Sequence, residues 1–134
     1  MFFRGSGFSV PELILKDEVY AVVGAMMDAY FTMGTGFLEP VYQEALAIEF
    51  SRREIPFERE KPLEIFYKET RLNKKYVADF LCFDQIILEL KVVPRISNIE
   101  TAQLINYLKI TKIRVGVLAN FGSRPMLEWK RYVI

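Results

Sequence analysis

The hydrophobic period of the chain changes near Pro56, and that change limits the possible folds more than any other feature. Before it, apolar residues recur every three or four positions; in the segments that follow it, as far as Pro94, they alternate or run together. Residues 17–33 carry Val19, Val22, Val23, Met26, Met27 and Tyr30 on one helical face, and Gly34-Thr35-Gly36 stops that helix. A second helix begins near Glu39, because Pro40 suits the first helical position. Its inner face carries Val41, Leu46 and Phe50, and it fades near Arg53 ahead of Pro56. Segments 63–67, 76–83 and 86–93 are then rich in β-branched and aromatic residues, as strands are, and Pro94 closes the third. Ser97-Asn98-Ile99-Glu100 reads as a capping box that opens a helix reaching about Thr111, with Ile99, Ala102, Leu104, Ile105 and Leu108 inward. Strands 113–119 and 127–133 follow, split by the turn Asn120-Phe121-Gly122. The expected order is α-α-β-β-β-α-β-β, an α/β fold.

At 134 residues with short loops, the chain reads as one domain, 1–134, whose residues 1–10 form a flexible or peripheral N-terminus. A lone cysteine, Cys82, rules out an intramolecular disulfide. Glu12, Lys16 and Asp17 interrupt any leader-like apolar core after residues 1–7, and the longest uncharged stretch, 29–38, is too short and glycine-rich to cross a bilayer. These features point to a soluble cytoplasmic protein with no membrane partner, and a homodimer is compatible with them.

The chain contains no histidine. That removes the usual general base at neutral pH, the Ser-His-Asp and Cys-His nucleophile systems, and histidine-ligated zinc. Metal chemistry would rest on oxygen ligands, which favours Mg²⁺ or Mn²⁺. No phosphate-binding glycine motif is present; Gly5, Gly7, Gly34 and Gly36 are isolated turn glycines. A net charge of +1 advertises no nucleic-acid partner and excludes none, because catalytic carboxylates would offset basic groups elsewhere.

Three ionisable residues stand in core-like strands. Asp79 lies within Tyr76-Val77-Ala78-Asp79-Phe80-Leu81, and Glu89 and Lys91 within Ile87-Leu88-Glu89-Leu90-Lys91-Val92. Glu89 and Lys91 are two apart and share a strand face. Such groups are costly to bury unless they pair or bind something. One reading is an ion pair or a solvated face. The other is chemical: two carboxylates and a backbone carbonyl can hold Mg²⁺, and a nearby lysine can orient water or offset phosphate charge. The two carboxylates share a face only if the intervening hairpin loop has odd length or a bulge, so a three-residue loop, Phe83-Asp84-Gln85, is expected, pairing Cys82 with Ile86.

Asp79 with Glu89-Leu90-Lys91 resembles the PD-(D/E)XK motif, with Ala78 in place of its proline. Gln103-Leu104-Ile105-Asn106-Tyr107 resembles the Q-x-x-x-Y helix of exonuclease-like branches of that superfamily. Gly36-Phe37-Leu38-Glu39-Pro40-Val41-Tyr42 resembles the signature of the GxxExxY proteins, assigned to the same superfamily. The resemblance spans about 17–133 and implies a restriction-endonuclease-like core, a mixed central β-sheet flanked by helices. It implies a metal-dependent nuclease acting on DNA or RNA, with nucleic acid as partner. Asp79, Glu89 and the Leu90 carbonyl would hold the metal, Lys91 would be the catalytic lysine, and Glu39 an accessory acid. Gln103, with Tyr107 one helical turn on, would face the site, and Tyr107 and Tyr42 would contact substrate. Bland roles stay open: Glu39 can favour the positive end of a helix, Tyr42 and Tyr107 can be core aromatics, and Gln103 a solvated helix residue. Tyr30 stands where many members carry histidine, and Glu60 near a position where they carry glutamine. The same resemblance allows a weak or inactive binding module within a larger repair or defence assembly. Basic residues lie around one hairpin (Lys68, Arg71, Lys74, Lys75) and after the last long helix (Lys109, Lys112, Arg114), where runs of charge are most often solvated surface.

Overall fold

A computed structural model describes residues 13–134, so the expectations for residues 1–10 and for a leader lie outside the described part. Helices α1 (Lys16–Met33) and α2 (Glu39–Arg52) precede strands β1 (Phe57–Tyr67), β2 (Thr70–Cys82) and β3 (Ile86–Lys91). Helix α3 (Asn98–Thr111) and strands β4 (Val115–Asn120) and β5 (Glu128–Val133) complete the order α-α-β-β-β-α-β-β. Among the described residues no helix is long and apolar enough to cross a membrane.

The strands form one mixed sheet in the order β1-β2-β3-β4-β5. Only β3 and β4 run parallel, and α3 supplies the crossover that parallel neighbours need. All of β4 is buried, since helices cover both its faces. One face packs on α1 and α2 through Val22, Met26, Leu46, Phe50, Phe80, Leu88 and Val117. The other packs on α3 through Ile87, Leu104, Leu108 and Leu118.

The helical faces agree with the period except at particular residues. Along α2 the inward row is Tyr42, Leu46 and Phe50, each four residues from the last, while Val41 points outward. Along α3 the capping box at Ser97 and Glu100 is formed, but only Leu104 and Leu108 are buried. Ile99 and Ala102 are exposed and Ile105 half-buried, because this helix has sheet on one side and solvent on the other.

Strands β1 and β2 begin six residues earlier than the apolar pattern suggests. Residues 58–60 and 70–75 are exposed; Glu58 and Arg59 pair with Leu81 and Phe80, and Thr70, Arg71 and Lys75 with Tyr67, Phe66 and Glu64, all without any apolar signal. Halfway along, the hairpin turns over. Arg59 pairs with Phe80 and Lys61 with Ala78, but Glu60 and Asp79 between them do not pair, and Glu60 has φ 51°. Before this point Phe57, Phe80 and Cys82 face α1 and α2; beyond it Leu63, Ile65, Tyr76 and Ala78 face α3. A single strand irregularity reverses which side chains point inward.

The β2–β3 loop is the expected three residues, Phe83-Asp84-Gln85, with Cys82 opposite Ile86. Phe83 and Asp84 are both left-handed, at φ 55° and 57°, and Gln85 N–H donates to the Cys82 carbonyl at 3.0 Å.

At the other end of β3, buried Asn120 accepts from Val93 N–H and Gly122 N–H, each at 3.0 Å, and donates to Glu128 at 3.1 Å. A Cβ on Gly122 would lie 2.6 Å from the Val93 carbonyl oxygen and 2.8 Å from its nitrogen. These are backbone atoms, and Asn120 holds the Val93 N–H, so they cannot yield cheaply. Gly122→Ala is therefore expected to cost about 2–3 kcal/mol, read as a lower urea midpoint at unchanged slope; an unchanged midpoint would show that the Val93 backbone is free to move.

Candidate functional site

The carboxyl ends of the parallel pair β3 and β4, the start of α2, and the point where the hairpin turns over all meet in one region. In β3, Leu88 and Leu90 are fully buried against α1 and α2, so alternation turns Glu89 and Lys91 toward α3. There they line a cleft of about 390 Å³ with Tyr76, Glu100, Gln103 and Tyr107.

Asp79 sits where the sheet opens. The β2–β3 ladder ends at Phe80 opposite Leu88, and the next regular partner of Leu90 would be Ala78. Instead the Asp79 carboxylate accepts the Leu90 N–H at 2.8 Å, a side chain standing in for a backbone carbonyl. Its other oxygen accepts from Gln43 at 3.1 Å, and the Gln43 carbonyl accepts from Arg59 at 2.8 Å. Glu89 accepts from the Tyr76 hydroxyl, and the Tyr76 ring stacks on Tyr107 with centroids 3.6 Å apart. Both carboxylates therefore have fixed orientations.

Their electrostatics follow from burial. Burial pushes the Glu89 carboxyl up to about 7, against the Lys91 charge and the Asp79 N–H, while the Glu39 charge adds to the rise. Burial also raises Asp79, opposed by the Leu90 N–H, Gln43 and Lys91. Glu39 is raised by burial and then by the Asp79 charge, with Lys91 opposing. Lys91 is thus the cation these three acids have in common. It joins none of the four ion pairs among the described residues, so the reading of these charges as a closed ion pair does not match the geometry.

Desolvated carboxylates short of positive charge are the donors a hard divalent cation prefers. Among the described residues no three Asp, Glu, His or Cys side chains converge closely enough to enclose an ion by themselves. The Leu90 carbonyl can complete a set: in an extended strand the N–H and C=O of one residue project to the same edge, and the Leu90 N–H already meets Asp79. The donor set is therefore all oxygen, the kind that suits a hard divalent cation.

The structure brings together Asp79, Glu89, Leu90 and Lys91, with Glu39 close enough to feel the Asp79 and Lys91 charges, and puts Gln103 and Tyr107 on the facing wall. Gln103 is exposed. Tyr42 does not belong to the site. It is fully buried, donates to the Gly34 carbonyl at 2.6 Å and stacks on Phe121, so it latches the α1–α2 turn and cannot touch substrate. Tyr30 is likewise committed, donating to the Ser123 carbonyl at 2.7 Å. Gln43 and Tyr76 were missed as site residues. Gln43 lies one helical turn after Glu39, a spacing that could have flagged it; Tyr76 reads as an ordinary strand aromatic. Lys112 and Arg114 precede the far end of β4, which lies about 17 Å from Asn120 at 3.3 Å per residue, so they are remote from the site.

The family model described as PD-(D/E)XK nuclease superfamily matches residues 16–132. The solved crystal structure of SSO0001 is similar in fold, with a TM-score of 0.54 at 16% identity over 89% of this chain. The chain spans 59% of the length of that structure. No curated protein matches the chain.

The raised Glu89 carboxyl makes stability depend on pH in the metal-free protein. Unfolded, it releases its proton near 4.5; folded, it keeps it up to about 7. The folded state thus binds more protons across that window, so stability falls as pH rises through it and levels off above. The drop attributable to Glu89 is on the order of 3 kcal/mol, and the raised Asp79 and Glu39 act in the same sense. In EDTA, urea midpoints measured from pH 5 to pH 8 should decline, and Glu89→Gln should remove most of the decline. A slope unchanged in Glu89→Gln would place the buried proton elsewhere.

Proposed function

The chain belongs to the PD-(D/E)XK nuclease superfamily, and from that premise we propose that it is a metal-dependent nuclease that hydrolyses phosphodiester bonds in DNA, with RNA as the alternative substrate. The observation that carries this reading is the joint presence of two oriented, desolvated carboxylates and an uncommitted lysine at one sheet opening. Asp79, Glu89 and the Leu90 carbonyl would hold Mg²⁺ or Mn²⁺. Such an ion, when bound, makes its water more acidic and offsets phosphate charge.

The chain's own residues divide the remaining work. Gln43 and the Leu90 N–H hold Asp79 in one orientation, and Tyr76 does the same for Glu89. Lys91, beside Glu89 in the cleft, directs a fixed positive charge at a phosphate oxygen or at attacking water. Gln103 and Tyr107 on α3 offer an amide and an aromatic face to the substrate from the opposite wall. Glu39, at the start of α2, is an accessory acid. Its place in Gly36-Phe37-Leu38-Glu39-Pro40-Val41-Tyr42 supports the narrower GxxExxY assignment.

A catalytically weak binding module of the same fold is the second reading. It is favoured by Tyr30, whose hydroxyl is already bound to Ser123 and so offers no group for chemistry.

Purified protein incubated with single- and double-stranded DNA and RNA should cut at least one of them with Mg²⁺ or Mn²⁺, and none in EDTA. Asp79→Ala should lose this cleavage. Lys91→Ala should lower it about 10²–10³-fold while keeping the fold and most Mn²⁺ affinity by calorimetry. Binding without metal-dependent cleavage, or cleavage that survives Asp79→Ala, would favour the binding module or a contaminating enzyme.

A further inference from the structure

Beyond the opening at Asp79, residues 61–78 form a two-stranded ribbon, because β3 pairs with β2 only from Phe80 to Cys82. Such a ribbon is marginal by itself. Here α3 supports one face, packing on Leu63, Ile65, Tyr76 and Ala78. The cross-strand pairs Pro62–Val77 and Glu64–Lys75, and the pair Phe66–Arg71 beyond the bulge, lie on the opposite face. No helix covers it: Phe66 and Val77 are each 53% exposed. Tyr67, one residue on and so turned to the other side by alternation, is 64% exposed at the tip, beyond the reach of α3 packing.

Charge gathers on the same ribbon. Residues 61–77 contain five lysine or arginine side chains against two glutamates, a net +3 in a chain whose total is +1. Lys61 and Arg71 are paired with glutamates, whereas Lys68, Lys74 and Lys75 join no ion pair among the described residues. At its root the ribbon enters the site, since Lys75 and Val77 border the same cleft as Glu89 and Lys91.

Exposed aromatic rings interleaved with unpaired lysines match single-stranded nucleic acid, whose bases stack on rings while its phosphates meet ammonium groups. Duplex offers phosphates but no free base faces. We propose that the outer face of the β1–β2 ribbon is a docking arm for single-stranded DNA or RNA, leading the strand into the cleft that Glu89 and Lys91 line. Phe66 supplies the stacking surface on this face, Tyr67 a second exposed ring where the strand rounds the tip, and Lys68, Lys74 and Lys75 the phosphate contacts. The proposal deepens the nuclease reading and rests on it only for the direction of the strand.

The test separates the two by measuring binding in EDTA, where no cleavage is expected. Fluorescence anisotropy with labelled oligothymidylate and with a labelled duplex would compare the wild type, Lys68→Ala/Lys74→Ala/Lys75→Ala and Phe66→Ala/Tyr67→Ala. All five positions are exposed, so both variants should fold, and circular dichroism checks this. The lysine variant should bind more weakly and flatten the plot of log affinity against log salt by about 2, at about 0.7 per phosphate contact. The aromatic variant should weaken oligothymidylate binding about tenfold or more and affect the duplex much less. Unchanged affinity and salt slope in both variants would overturn the arm, as would an aromatic variant that loses duplex and single strand equally. A variant that converts a dimer to monomer in sedimentation, with oligonucleotide affinity intact, would also overturn it by assigning the face to a second copy of the chain. A wild type that binds the single strand through the arm but never cleaves would refute the nuclease reading and leave the arm standing.

Discussion

The hydrogen bond from the Leu90 N–H to the Asp79 carboxylate decides how the two halves of this molecule relate. Had the ladder continued, Leu90 would meet the Ala78 backbone and β2 would stay in the sheet along its whole length. With a side chain in that place, the sheet opens at its buried centre without leaving the Leu90 donor unsatisfied, an omission that would cost about 1–3 kcal/mol. The same substitution fixes Asp79, directs the Leu90 backbone edge toward it, and lets the hairpin turn over at Glu60 so that its far half lies on α3.

The acids at the opening are held there by scaffold contacts rather than by one another. Gln43, on α2, and Tyr76, on the ribbon, each hold one carboxylate, so the site depends on three elements distant in sequence. Burial raises the proton affinity of Glu39, Asp79 and Glu89 together, and Lys91 opposes the rise without pairing with any of them. Such a site lacks positive charge, and its one resident cation has no exclusive partner. A structural ion pair differs, because in it the charges satisfy each other.

Much of this was legible in advance. The order of elements, the capping box at Ser97 and the odd hairpin loop followed from period, cap chemistry and strand parity. Asp79, Glu89 and Lys91 stood out because charge within apolar strands demands an explanation. The errors share a cause. Val41 and Tyr42 are adjacent and both apolar enough for a core, so only the angle at which α2 meets the sheet chose between them. The early parts of β1 and β2 carry no apolar pattern, because a ribbon edge satisfies its backbone without burying side chains.

By itself, the sequence determined which chemistry was available: no histidine, oxygen donors, and one lysine two residues from a strand glutamate, since these are matters of residue type and short spacing. It also determined the local elements, because period and caps act within a few residues. The tertiary structure alone decided that Gln43 would hold Asp79, that Tyr42 would be spent on a turn, and that the hairpin would reverse its faces at Glu60 and Asp79. Those outcomes depend on contacts between elements far apart in the chain, where a one-residue change of register exchanges the buried and exposed sides.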